Sequence, residues 1–253
     1  MTKRKGPFIC VKNLTVGYGD DVVVQDVNFT INHGDIFVIM GMSGCGKSTI
    51  LRSMIGLIQP KSGQILIDGT DIWTLSPGAR AQMVKTFGIS YQSGALFSSM
   101  TIGENIALPM EMGTDMSAKE IKRRTHEKLE IVGLGEYGNL YPAEVSGGMI
   151  KRAALARAMA LNPQILFFDE PSAGLDPIRS MELDELIRQI NQKTGTTVVM
   201  VTHELQTIMN IATNAVYIYN KTVGASGAPH DMLAKTKNTE IIDFLTRGQR
   251  RRK

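Results

Sequence analysis

Nine consecutive residues, Gly41-Met42-Ser43-Gly44-Cys45-Gly46-Lys47-Ser48-Thr49, spell Gly, four residues, then Gly-Lys-Ser. That is the pattern of a phosphate-binding loop. The flanks agree with it, since apolar Ile36–Met40 leads in as a strand and Thr49–Ile55 leads out as a helix. Glycines let such a loop curl until successive N–H groups, from Gly41 through Ser43, Gly44, Cys45 and Gly46 to Thr49, face phosphate oxygens at a helix N-terminus. Lys47 adds a full positive charge for the terminal phosphates, and Ser48 offers a hydroxyl to Mg²⁺. Cys45 reads as a small filler residue in a tight loop.

Two carboxylates follow later. Ile165-Leu166-Phe167-Phe168-Asp169-Glu170 places them at the end of an apolar strand, the end where α/β sheets bind ligands. Asp169 suits the organisation of Mg²⁺, and Glu170 suits the polarisation of an attacking water. Phosphoryl transfer needs positioning and charge stabilisation more than covalent chemistry, so this small set suffices. Between the two strings, Val145-Ser146-Gly147-Gly148-Met149 opens a helix and offers a hydroxyl and free amides as a second anion site.

The elements needed to hold these groups can be read in outline. Strands are predicted at Phe8–Val11, Val22–Val24, Val27–Ile31, Ile36–Met40 and Ile65–Ile67, the last before an Asp68-Gly69 turn. Ser117 and Glu120 suggest a capping box opening a helix to about Val132, stopped by Gly133. A helix over Gly148–Leu161, ended by Asn162-Pro163, precedes the apolar strand Ile165–Phe168. Pro177–Lys193 reads as a helix capped by Asp176, with Pro177 at its first position. Thr196–Val201 is a strand, Leu205–Ala212 a helix, Ala215–Tyr219 a strand, and short helices close the chain. Strand–helix alternation after a phosphate loop implies an α/β fold with a mainly parallel sheet.

Composition narrows the function classes. At 43% hydrophobic and 21% charged residues the chain is expected to fold. No apolar run approaches the ~20 residues that span a bilayer, and the basic N-terminus has no apolar stretch behind it to make a signal peptide. Two cysteines, Cys10 and Cys45, fit a reducing compartment better than a disulfide framework. The net charge of +4 comes from the ends: Lys3, Arg4, Lys5, Arg247, Arg250, Arg251, Arg252 and Lys253 leave 20 basic against 24 acidic residues in the body. A nucleic-acid reader carries its basic stripe on the folded face, so no nucleic-acid partner is expected.

Taken in order, these motifs resemble those of the ABC (ATP-binding cassette) ATPase family over nearly the whole chain. Gly41–Thr49 is similar to Walker A, Ser146-Gly147-Gly148 to the signature, and Ile165–Glu170 to Walker B with its catalytic glutamate. Tyr18 lies where the family places an aromatic that stacks on adenine. Gln92 matches the Q-loop glutamine, with a role at the metal and in catalysis. Ser172-Ala173-Gly174-Leu175-Asp176 resembles the D-loop, and His203 the histidine that senses the γ-phosphate. Val145 and Met149 depart from the usual Leu and Gln of the signature, which touches fine contacts with nucleotide and partner.

The resemblance implies a P-loop NTPase fold with an N-terminal antiparallel β part and an inserted helical lobe at roughly 93–161. Residues 1–246 would form one ABC ATPase domain and 247–253 a basic tail. It also implies ATP and Mg²⁺ as cofactors, Ser48, Gln92 and Asp169 around the metal, and a homodimer that sandwiches two ATP molecules. The expected role is the motor of a membrane transporter, peripheral on the cytoplasmic side of the bacterial inner membrane and bound to integral membrane permease subunits. A soluble cassette acting on DNA or ribosomes would bring a long coiled coil or a second cassette. A non-hydrolysing sensor would be expected to lose Glu170 or His203, and a P-loop kinase would not explain Ser146–Met149.

A narrower resemblance concerns cargo. Gln92-Ser93-Gly94-Ala95-Leu96-Phe97, the Gly-Gly-Met of the signature and the following Lys151–Arg157 look like ATPases of MCE-type phospholipid transporters. Such systems pair the ATPase with a permease and an MCE lipid-binding subunit, and other ABC importers or exporters are the alternative.

Overall fold

The structure, a computed structural model, describes residues 7–236 and 238–246. The basic tail expected at 247–253, and Lys3, Arg4 and Lys5, lie outside them. The described residues form two compact units, one comprising those up to Val84 and from Thr197 onward, the other Lys85–Thr196.

The first unit opens with β1 (Pro7–Tyr18) and β2 (Asp21–Asn32), an antiparallel pair closing at Tyr18 opposite Asp21. Val22–Val24 and Val27–Ile31, expected as separate strands, belong to this single β2. Asp26 at φ +48° inserts an irregularity instead of a break. The Asn28 side chain bridges it, donating to the Asp26 carbonyl and accepting from the Asn13 amide. Bulges of this kind let a strand bend without losing its partner. Then come β3 (Ile36–Gly41), α1 (Lys47–Met54), β4 (Ser62–Ile67), β5 (Thr70–Asp71) and α2 (Pro77–Val84). β4 pairs with β1, and β5 folds back across Asp68-Gly69, whose φ of +48° and +81° suit a tight hairpin.

The second unit contains β6 (Phe87–Ser90), α3 (Ile102–Gly113), α4 (Ala118–Ile131), α5 (Gly147–Ala158), β7 (Ile165–Asp169) and α6 (Pro177–Thr194). β6 and β7 run parallel, from Phe87 opposite Ile165 to Ser90 opposite Phe168. Helices α3 and α4 share a small apolar core of Ala107, Met110 and Ile121 with Ala160. The box expected at Ser117 is half made. Ser117 accepts from the Glu120 amide, but the Glu120 carboxylate turns to Arg123 and Arg124. A complete box is made at Thr101 and Glu104, opening α3, a helix that carries Pro109 inside it and that no predicted element covered. Helix α5 stops at Ala158 rather than Leu161, its end tightening through Ala160 N to Arg157 O and Asn162 N to Met159 O.

The chain returns to the first unit with β8 (Thr197–Val201), α7 (Leu205–Ile211), β9 (Asn214–Tyr219), β10 (Thr222–Gly227), α8 (Pro229–Lys235) and α9 (Thr239–Thr246). β3 lies between β8 and β9, parallel to both, and every residue of β3 and β8 is buried. Continuous apolar strands of this kind belong to parallel sheets covered on both faces. β10 adds an antiparallel edge. Its Thr-Val-Gly-Ala-Ser-Gly sequence carries little apolar signal, and no strand was expected there. The chain is thus an α/β protein with mixed sheets.

Candidate functional site

In the first unit β3 delivers the phosphate loop. Its last pair, Gly41 with Ile218, fixes where the strand ends. Gly41, Gly44 and Gly46 take φ of +151°, +79° and +102°. A Cβ on Gly41 would stand 2.7 Å from both Cys45 Sγ and the Ile218 carbonyl, and one on Gly46 would meet Val24 at 2.6 Å. At Gly44 the space is open, as a loop facing a ligand requires. The Cys45 amide closes the curl on the Met42 carbonyl, and Gly46 caps α1 without a side-chain acceptor. Amides at such a start are ready donors for an anion.

Lys47 is buried and donates to the carbonyls of Gly41 and Met42, both at 3.0 Å. Burial pushes the Cys45 thiol up from its ordinary pKa, against the opposing pull of Lys47. Tyr18 ends β1, half exposed, and its hydroxyl accepts from Arg52 Nη1 on α1 at 3.4 Å. A hydrogen bond with Thr49 and this one from Arg52 draw the phenol below its usual value. The turn behind Tyr18 is tight: a Cβ on Gly17 would stand 1.8 Å from the Asp21 carbonyl, and Lys61 Nζ holds the Gly19 carbonyl at 2.6 Å. His203 follows β8, exposed, just after Thr202, whose hydroxyl accepts from the Glu204 amide. Tyr18, Gly41–Thr49 and His203 all belong to this unit. Arg52 and Lys61 were not singled out in the sequence, because a side chain reaching back to a strand end leaves no local spacing signal.

The second unit holds the rest. β7 is buried throughout and ends in Asp169, itself buried. Glu170 follows at φ +51°, a left-handed backbone that is rare outside glycine and gathers at functional sites. The next turn is closed by Ala173 N to Glu170 O and Leu175 N to Ser172 O, and Asp176 caps α6 by accepting from Ile178 and Arg179. Ser146 caps α5, its hydroxyl accepting from the Met149 amide at 3.3 Å, and the space beside Gly147 is open. The departure at Met149 leaves the cap intact, because only its backbone is used. Gln92 is exposed beyond β6, in a turn with Gly94 and Ala95 at φ +77° and +49°.

The donors suit the expected cofactors. The open space at Gly44 leaves the glycine loop room for phosphates, and Ser48 in the first unit, like Gln92 and Asp169 in the second, carries a hard oxygen of the kind Mg²⁺ prefers. Among the described residues no cluster of three or more His, Cys, Asp or Glu forms a protein cage for a metal.

A fold of this class with this loop defines a nucleotide-hydrolysing cassette, and the chain belongs to the ABC transporter family, whose pattern matches residues 24–173. It is an ATPase, the ATP-binding subunit of an ABC transporter. It is 40% identical over 95% of its length to the probable ribonucleotide transport ATP-binding protein mkl of Mycobacterium leprae, covering 69% of that protein. The intermembrane phospholipid transport system ATP-binding protein MlaF of Haemophilus influenzae is 39% identical, over 94% of this chain and 90% of MlaF. The methionine import ATP-binding protein MetN of Carboxydothermus hydrogenoformans is 39% identical, over 94% and 71%. Among solved structures, the dimeric post-hydrolysis state of the ATP-binding cassette MJ0796, bound to ADP and Pi, matches with TM-score 0.78 and 30% identity, covering 87% of this chain and 98% of that one.

Proposed function

We propose that this subunit drives a transporter moving phospholipids between bacterial membranes, as a homodimer on the cytoplasmic face of the inner membrane. Its partners would be integral membrane permease subunits and an MCE-type lipid-binding subunit. The observation that carries this reading is the string Gln92-Ser93-Gly94-Ala95-Leu96-Phe97, joined to the likeness to MlaF over 90% of that protein. No helix of the described residues is long and apolar enough to cross a membrane, so attachment would run through the permease.

Within the site, Tyr18 stacks on adenine while the amides of Gly41–Thr49 and the Lys47 ammonium take the phosphates. Ser48, Gln92 and Asp169 would hold Mg²⁺, which when bound would neutralise developing phosphate charge. Glu170 orients and polarises the water, and His203 contacts the γ-phosphate. Ser146, Gly147 and Gly148 present the N-terminus of α5 to ATP held by the other subunit, so ATP glues the two halves and hydrolysis releases them. Residues 1–246 act as one cassette with a helical lobe at roughly 93–161, and 247–253 as a basic tail.

Two experiments test this. Glu170→Gln is expected to bind ATP, lose most turnover and accumulate as an ATP-bound dimer; turnover close to wild type removes Glu170 from the catalytic role. Deletion of the protein should disturb glycerophospholipid distribution and the outer-membrane barrier, and pull-down should recover a permease with an MCE subunit. Intact lipid distribution with an amino-acid permease in the pull-down would favour the second reading, an importer motor like MetN, which the 39% identity to that protein supports.

A further inference from the structure

The turn carrying Gln92 is held by helix α5. Lys151 Nζ donates to the Gln92 carbonyl. Further along the helix Arg157 forks, Nη1 to the Ala95 carbonyl at 2.7 Å and Nη2 to the Gly94 carbonyl at 2.8 Å. Burial pushes Arg157 below its ordinary pKa, as expected of a cation set against neutral carbonyls. A planar guanidinium can satisfy two carbonyls at once, whereas an ammonium is a point donor without that fork.

Both Gly94 and Ala95 sit at positive φ, and the Gly94 amide donates to the Tyr91 carbonyl at 2.8 Å across the turn. Gly94 also lies close against α5, since a Cβ there would stand 3.0 Å from Ile150 Cγ2. The loop's far end is pinned separately by Asn105 of α3. That fully buried side chain accepts from the Phe97 amide and donates to the carbonyls of Phe97, Met100 and Thr101. The near end, where Gln92 lies, is gripped by Lys151 and Arg157. The helix that grips it is the one opened by Ser146, Gly147 and Gly148.

We propose that Lys151 and Arg157 are positioning residues for Gln92, fixing the Gln92–Ala95 turn to the signature helix so that Ser146 and Gln92 travel as one piece. This rests on the reading of Gln92 as a residue of the catalytic centre. A displacement of α5 then resets Gln92, and loosening the grip costs turnover while nucleotide affinity, set by the phosphate loop, stays.

The test uses the full chain with Lys151→Ala and Arg157→Lys, which keep a folded helix, and Arg157→Ala where it folds. Amide hydrogen exchange over Tyr91–Ser98 reports the grip directly, and steady-state ATP hydrolysis reports its consequence. Lys151→Ala and Arg157→Lys should each exchange faster in that segment alone and lose about tenfold in kcat, the usual cost of removing a residue that orients a site group. KM for ATP should stay within about twofold, because the lost interaction is not a ground-state contact to nucleotide. Added to Gln92→Ala, neither should lower kcat much further, since residues acting through one group are non-additive. Unchanged exchange in both variants, or kcat losses that simply add to that of Gln92→Ala, would overturn the proposal. Wild-type kcat in Gln92→Ala alone would instead overturn the role given to Gln92, while the exchange measurement still decides whether the grip exists.

Discussion

Lys47 Nζ lies 3.0 Å from the carbonyl oxygen of Gly41, inside the loop the two residues bracket. The ammonium is buried and rests on neutral carbonyls, with Met42 as the second. A phosphate offers it an anionic acceptor instead, which adds attraction between opposite full charges to the hydrogen bond.

Lys47→Ala should therefore weaken ATP binding by about 1.5–3 kcal/mol, the usual worth of a hydrogen bond to a charged group. That corresponds to roughly ten- to a hundredfold in Kd. Calorimetric titration with ATP checks it, and an unchanged Kd would remove Lys47 from the phosphate site.

Gly46 and Gly44 separate two causes of glycine use. Gly46→Ala meets Val23 and Val24 at 2.9 and 2.6 Å and suffers the left-handed backbone as well. Gly44→Ala meets nothing within 4 Å and suffers the backbone cost only, about 1–2 kcal/mol. Thermal unfolding should show the larger loss for Gly46→Ala, and ATP binding should fail there first.

Tyr18 and Arg52 should act together. Tyr18→Ala is expected to raise KM for ATP several-fold with little change in kcat, and to leave binding of inorganic triphosphate, which has no base, unaltered. Arg52→Ala removes one donor that holds the phenol down. Ultraviolet titration should then show the Tyr18 phenolate forming at higher pH than in wild type, with Tyr18→Phe as the reference.

Cys45 offers a chemical readout of the loop. With its thiol pushed up by burial, little thiolate exists at neutral pH, and the thiolate is the reactive form. Iodoacetamide should label Cys45 slowly at pH 7, faster as pH rises, and more slowly again with ATP bound. Mass spectrometry of the Cys45 peptide reads this, and equal labelling with and without ATP would contradict nucleotide contact at the loop.

Helix α4 should be acid-sensitive in a defined window. Arg123 and Arg124 hold the Glu120 carboxyl at about 2, against 4.5 ordinarily. A depressed folded pKa means the stabilisation is complete above about 4.5 and is lost as pH falls towards 2. The difference in Tm between wild type and Glu120→Gln should shrink across that range. It should also shrink with added salt, because the pairs face solvent.

The chemistry of this protein was legible because its signals are local. Glycines that must curl, a lysine one residue beyond, an apolar strand ending in two acids and a serine opening a helix are each fixed by neighbours within ten residues. The caps at Ser146 and Asp176 and the buried strands β3, β7 and β8 follow from the same short-range rules. Where a second local signal interferes, the reading fails: the stretch around Asp26 reads as a turn between two strands. Other facts had no local signal. That Glu120 serves Arg123 and Arg124 rather than its own cap depends on which partner wins a competition among side chains. That Arg52 reaches Tyr18 from 34 residues away, and Arg157 reaches Gly94 from 63, depends on which strand ends and loops the packing brings beside each helix. Composition and spacing select the chemistry because phosphate recognition is built within single loops. Only the tertiary structure decides what holds those loops, because the holding groups come from far along the chain.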